Sequence, residues 1–179
     1  MPRIAREIEV GMPHHITHRG NNRDPIFIDE LDYMWFLSCM NYYLENEKVK
    51  ILAYCLMPNH VHFVCMPEET DSLSKIFHSS GFRYTQYFNK RYKRVGHLWQ
   101  GRYYSKIMNE DHLINTVRYI ERNPVRANLV KYAWDWKWSS ARAHAKSGNS
   151  TLKMVDFFEL IDVSRNIWNE LLLEDPPRP

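Results

Sequence analysis

The sequence predicts an α+β sandwich in which helices cover an antiparallel sheet. Three observations point that way. β-rich and helical-period segments alternate in the order strand, helix, strand, strand, helix, strand, helix. Two uncharged β-rich runs are separated only by Met57-Pro58-Asn59, the spacing of a hairpin. With 179 residues, 44% of them hydrophobic, the chain has enough apolar surface for one domain with a buried core.

His14–Arg19 alternates weakly and stops at Gly20-Asn21-Asn22, which is turn chemistry, so it reads as the first strand. Asp29 can cap a helix running to about Asn46, with Tyr33, Phe36, Leu37, Met40 and Leu44 on one side. Val49–Met57 and His60–Met66 form the hairpin. Asp71 or Ser72 opens a long helix with a stripe of Leu73, Ile76, Phe77, Ser80, Tyr84, Tyr87 and Phe88, closing on Lys and Arg with Gly96 just beyond. Arg102–Met108 is the fourth strand. Asp111–Arg122 is a helix ended by Asn123-Pro124, because the residue before a proline resists helical backbone. The first six elements are those of a ferredoxin-like sandwich (βαββαβ), to which a C-terminal helix and a helical tail are added. Residues 1–147 are expected to form this domain. Lys146–Ser150 reads as a flexible connector, and residues 148–179 as an acidic extension whose segment Asp156–Leu173 has Phe157, Leu160, Ile161, Trp168, Leu171 and Leu172 on one side of a single helix.

The formal charge is only +3, but its distribution is uneven. Ser72–Asn109 holds eight basic residues and no acidic one, whereas Ser150–Pro179 holds three basic and six acidic ones. A basic middle and an acidic tail suit a polyanion-binding surface and a segment that avoids it. Cys39, Cys55 and Cys65 lack C-x-x-C spacing, which argues against a disulfide framework or zinc knuckle and fits a cytoplasmic protein. Met1–Gly20 has no apolar signal core. The longest uncharged run, Ile51–Pro67, is interrupted by Pro58, Asn59, His60 and His62, so no membrane span is expected. No P-loop is present, and no nucleotide cofactor is expected.

Three constellations carry chemistry. His60-Val61-His62 lies on a strand, where period two turns both imidazoles to one face, a spacing suited to two positions on a divalent metal. The pair also fits two polar side chains that merely alternate. Tyr119 and Asn123 are four residues apart and share a helix side with His112 and Thr116. A phenol there reaches a metal-bound phosphate and Asn123 adds an oxygen ligand, although amphipathic packing and helix termination explain the same two residues. Arg83–Lys106 interleaves Trp99, Tyr103 and Tyr104 with Arg and Lys, a composition suited to phosphate neutralisation and base stacking on single strands.

Pro58-Asn59-His60-Val61-His62-Phe63, Leu98-Trp99-Gln100-Gly101-Arg102 and Tyr119-Ile120-x-x-Asn123-Pro124-Val125-Arg126-Ala127, with Thr17-His18-Arg19-Gly20-Asn21-Asn22-Arg23 and Trp138-Ser139-Ser140, resemble the single-tyrosine transposases of the HUH endonuclease superfamily. The likeness is greatest to the subgroup associated with repetitive extragenic palindromes (REP) and spans roughly His14 to Ala145. It implies a metal-dependent transposase that nicks and rejoins single-stranded DNA near hairpins through a 5′-phosphotyrosine intermediate. His60 and His62 then correspond to the metal pair, with Asn123 as third ligand where many relatives have glutamine. Tyr119 corresponds to the nucleophile, and Mg²⁺ or Mn²⁺ to the cofactor. Single-stranded or hairpin DNA is the partner, with Arg83, Lys90, Arg94, Trp99, Arg102 and Lys106 as candidate contacts, and the protein is expected as a monomer or homodimer. The same fold also serves a catalytically silent module that binds hairpin DNA. The acidic extension lies outside the resemblance.

Overall fold

The computed structural model describes residues 7–146 and 148–174. Its strands are β1 (His14–Arg19), β2 (Val49–Met57), β3 (His60–Pro67) and β4 (Tyr104–Ile107), in the sheet order β2-β3-β1-β4, with every pairing antiparallel. The main helices are α1 (Glu30–Leu44), α2 (Ser72–Arg91) and α3 (Glu110–Arg126), followed by α4 (Ala141–Lys146) and α5 (Arg165–Leu171). This is the ferredoxin-like order expected from the sequence. No helix among the described residues is long and apolar enough to cross a membrane.

Side-chain alternation divides the sheet into two faces. One face carries Ile16, Tyr54, Leu56, Val61, Phe63 and Cys65, which are buried beneath α1 and α2 with Phe36, Leu37, Met40, Leu73, Ile76, Phe77, Tyr84 and Phe88. The register slips between Ile51 and Ala53, a bulge that lets both Leu52 and Ala53 enter the core on the other face. There they meet Val64 and the Leu113, Val117 and Ile120 stripe of α3. α3 packs chiefly over β2. The β1–β4 half of this face therefore lacks a helix of its own, and the histidines stand at that boundary.

Local chemistry fixes the ends. Asp29 and Asp32 form a capping box at the start of α1. Asp32, fully buried, also accepts from Arg91 (2.7 Å), Tyr87 (3.1 Å) and Tyr92 (2.8 Å), tying the start of α1 to the end of α2. The hairpin turn is held against the loop after β1: Ile26 and Phe27 donate to Pro58 O, and Gly20 donates to Asn59 O. Gly20 is demanded by that approach, since a Cβ there would meet Asp24 O at 2.5 Å and Ile26 Cγ2 at 2.7 Å.

Two elements differ from the sequence expectation. α3 does not stop at Arg122; it runs through Pro124 to Arg126. The missing proline N–H orphans the Ile120 carbonyl, and Asn123 Nδ2 turns back to donate to Ile120 O (3.4 Å) and Tyr119 O (3.1 Å). The acidic segment is not one helix over 156–173. A 3-10 turn (Phe157–Leu160), capped by Asp156, is followed by extended residues and then by α5, capped by Ser164. Two strong N-caps break the segment into two turns, and Phe157 and Trp168 still both lie in the core, each with no exposure.

Beneath α3 a buried polar knot holds this layer. Glu121, fully buried, accepts from Ser140 Oγ (2.5 Å) and Trp168 Nε1 (3.0 Å), with His144 Nδ1 at 2.7 Å. Arg118 donates to Leu171 O and Arg122 to Leu172 O, closing the C-terminal end of α5. Trp168→Ala removes both the packing and the donor to Glu121. It is expected to lower unfolding stability by about 3–5 kcal/mol, measured by urea denaturation.

Candidate active site on the open half of the sheet

β3 is paired on both sides, and its register against β1 sets Thr17 opposite His62 and Arg19 opposite His60. Antiparallel partners share a face, so His15, Thr17 and Arg19 of β1 join His60 and His62 on the α3 side. β4 adds Tyr104 and Lys106 through the pairs Thr17–Tyr104 and His15–Lys106. The two expected histidines are adjacent, with ring centroids 4.8 Å apart and planes at 84°. α3 brings Tyr119 edge-to-face onto His62 at 6.3 Å between centroids. Tyr119 is half-buried, and the Arg126 guanidinium lies 4.8 Å from its ring centre.

The histidine rings are held by neighbours. Asn59 Oδ1 is 2.6 Å from His60 Nδ1. His62 Nδ1 has His15 Nε2 at 3.0 Å and Thr17 Oγ1 at 3.2 Å. Burial lowers all three imidazoles: His15 to about 4, helped by Lys106; His60 to about 4, helped by Arg19; and His62 well below its ordinary value, helped by His60, His15 and Arg19. At neutral pH these rings are uncharged, the state in which imidazole offers a lone pair to a cation.

The donor set suits a hard divalent cation only in part. Two neutral imidazoles on one face make a pair of ligands, and among the described residues no third His, Cys, Asp or Glu completes a cluster. Further ligands must be an amide oxygen, water or substrate, which fits Mg²⁺ or Mn²⁺ and leaves room for a phosphate. Asn123 sits one turn beyond Tyr119 with its NH₂ committed to the helix carbonyls. A ligand role there would fall to Oδ1.

The expected DNA contacts separate into groups. Lys106 lies on the histidine face, and Arg102 lines a hollow with Thr17, Arg19, Gln100 and Tyr104 beside it. Trp99 stacks on His18 (4.0 Å, 14°) and donates to Gly81 O, on the α2 side of the sheet. Arg83 lies over Tyr42, Lys90 lines a hollow with Trp35 and Gln86, and Arg94 lies over Phe88, all on the outer layer of α1 and α2. The structure thus joins His60, His62, Tyr119 and Lys106, but sets Arg83, Lys90 and Arg94 apart from them. Sequence reasoning gave no site role to His15, Thr17, Arg19 or Arg126, although the last three stand in the motifs that carry the resemblance. The first three were readable from the same period-two rule that found the histidine pair, applied to His14–Arg19.

The lowered histidines give a pH signature. Between pH 6.5 and about 4 the unfolded chain binds protons that folded His15 and His60 refuse. Unfolding free energy must therefore rise with pH across that window and level off above it. A gain on the order of 1 kcal/mol or more per histidine is expected from urea melts at stepped pH, and His15→Phe should flatten the rise.

Comparison with known proteins agrees with this architecture. The sequence profile of the family "Transposase IS200 like" matches residues 10–123, which include His60, His62, Tyr119 and Asn123. A Haemophilus influenzae protein described as a REP-associated tyrosine transposase is 28% identical over 148 residues, covering 72% of this chain and 81% of the relative. The structure of a REP-associated tyrosine transposase bound to a REP hairpin superposes with a TM-score of 0.64 at 22% identity, over 88% of this chain and 93% of the other. Since the family profile spans well over half of the sequence, this chain belongs to the IS200-like transposases.

Proposed function

We propose that this protein cuts and rejoins single-stranded DNA beside a hairpin, with the phenol of Tyr119 as nucleophile. The observation that supports this most directly is the Tyr119 ring standing edge-on to His62, on the one sheet face that also holds His60, Arg19 and Lys106. A covalent nucleophile divides strand transfer into two exchanges of similar energy. Tyr119 Oη attacks phosphorus and gives up its proton; the P–O3′ bond breaks, and the departing 3′ oxygen takes up a proton. The products are a 5′-phosphotyrosine and a free 3′-hydroxyl, and attack by a 3′-hydroxyl on that link restores a phosphodiester and frees Tyr119. His60 and His62, with Asn123 as a third ligand, would hold Mg²⁺ or Mn²⁺, whose contribution is to polarise the scissile phosphodiester. Arg126, over the tyrosine ring, and Arg19, opposite His60, bring positive charge to where the phosphate must sit.

The hairpin preference rests on the two REP-associated relatives, one of them bound to such a hairpin. The path of the flanking single strand follows from charge. Lys106 and Arg19 share the face of the histidines, and Arg102 lines the adjoining hollow, so the strand is proposed to run along β1 and β4 rather than over α1 and α2.

The central test is incubation of wild-type protein and Tyr119→Phe with labelled hairpin-flanked single-stranded DNA and Mn²⁺, followed by denaturing gels. A covalent adduct is expected from wild type alone; tight binding without adduct on several hairpins would instead favour the silent binding module. Salt titration maps the path. Each lost phosphate contact lowers the magnitude of the log–log slope by about 0.7 for single strands. Lys106→Ala is expected to show that loss, and Arg83→Ala to leave the slope unchanged.

A further inference from the structure

The two histidines share a feature that the metal-and-tyrosine reading does not require: each has its Nδ1 atom engaged by a neighbour. We infer that Asn59 is a positioning residue that locks His60 in the Nδ1–H tautomer, and that the His15–Thr17 pair holds the His62 ring by its Nδ1 edge, so that the Nε2 atoms of both rings serve the same incoming cation. The inference rests on the proposed function for its purpose and on hydrogen-bond geometry for its content.

For His60 the direction of the bond follows from its partner. Asn59 Nδ2 donates to Arg23 O at 3.1 Å, which fixes the amide so that its oxygen faces the imidazole. An amide oxygen only accepts, so His60 Nδ1 must carry the proton. Arg23 in turn follows the Gly20 turn, whose N–H donates to Asn59 O. The loop after β1 thus orients an amide in the hairpin, and the hairpin amide orients a ring. For His62 the partners come from the neighbouring strand. Thr17 is its cross-strand pair and His15 lies two residues before Thr17, so strand alternation stacks both against one imidazole. His15 Nε2 is 3.0 Å and Thr17 Oγ1 is 3.2 Å from His62 Nδ1, and the His15 and His62 rings stack at 5.2 Å and 28°. A second contact between Thr17 Oγ1 and His15 Nε2, at 3.4 Å, closes the triangle.

Partners of this kind fix ring orientation and raise the basicity of the ligating nitrogen, and losing one typically weakens metal affinity by about 10–100-fold. They also explain why polar residues occupy the centre of β1, where an apolar strand would pair equally well.

The test reads the tautomers directly, without metal or DNA. Long-range ¹H–¹⁵N spectra of the metal-free protein should show His60 protonated on Nδ1 and His62 in a single tautomer. The double variant His15→Phe/Thr17→Val should turn His62 into a tautomer mixture and leave His60 unchanged, while Asn59→Ala should do the reverse. Asn59→Asp, which keeps the accepting oxygen, should restore His60. Mn²⁺ titration followed by electron paramagnetic resonance should show roughly 10–100-fold weaker binding in the first two variants, with melting temperatures close to wild type. An Nε2–H tautomer of His60 in the wild type, or unchanged ring states in the variants, overturns the inference. Correct tautomers with no Mn²⁺ binding by the wild type would uphold the positioning and overturn the metal site of the proposed function.

Discussion

The pairing of β1 with β3 is the constraint on which the site depends. It puts Thr17 opposite His62 and Arg19 opposite His60, and its period of two decides that these side chains share a face. Shifting that register by one residue would send Ile16 and His18 to the histidine side and bury Thr17 and Arg19 under α1 and α2. The apolar partners Ile16, Val61 and Phe63, all fully buried on the other face, make such a slip very costly. The core beneath the sheet therefore sets the alignment of the polar residues above it.

The second determinant is where α3 lies. Its apolar stripe is seated over β2 and the adjoining part of β3 by Leu52, Ala53 and Val64, which covers one half of the face and leaves the other half without a helix. The side of α3 that bears Glu121, Arg118 and Arg122 is bound to Ser140, Trp168 and the end of α5. A different side presents Tyr119. The C-terminal segment thus acts as a buttress for the helix, on a surface separate from the one facing the histidines.

Much of this was legible in the sequence because it obeys short-range rules. The hairpin, the two long amphipathic helices and the histidine pair are each written in residue spacing, and Tyr119 with Asn123 in a single helical turn. The sequence misled where a local signal was overridden by a neighbour. Pro124 looks like a stop, yet Asn123 supplies the hydrogen bond that the proline cannot. The apolar residues of Asp156–Leu173 suggest one continuous stripe, yet Asp156 and Ser164 each start a new turn. The basic run from Ser72 to Asn109 reads as one surface, but it is divided between α2, which covers one face of the sheet, and β4, whose Lys106 belongs to the other. Composition counts charges along the chain, and only the pairing of His15 with Lys106 tells which of them faces the histidines. Period two places His15 and Thr17 on one face of their strand, and the pairing with β3 shows that this is the face of the histidines.

The buried knot around Glu121 also has a consequence for the protein's biosynthesis. The carboxylate under the tyrosine helix finds its partners Ser140, His144 and Trp168 between 19 and 47 residues further along the chain. While the protein is being made, β1–β4 and the start of α3 leave the ribosome with that carboxylate still unpaired and the Phe157–Trp168 half of the core still missing. The helix that presents Tyr119 gains its buttress only after the residues around Trp168 have emerged. The segment that seats the Tyr119 helix is therefore synthesised only after the whole sheet and both histidines.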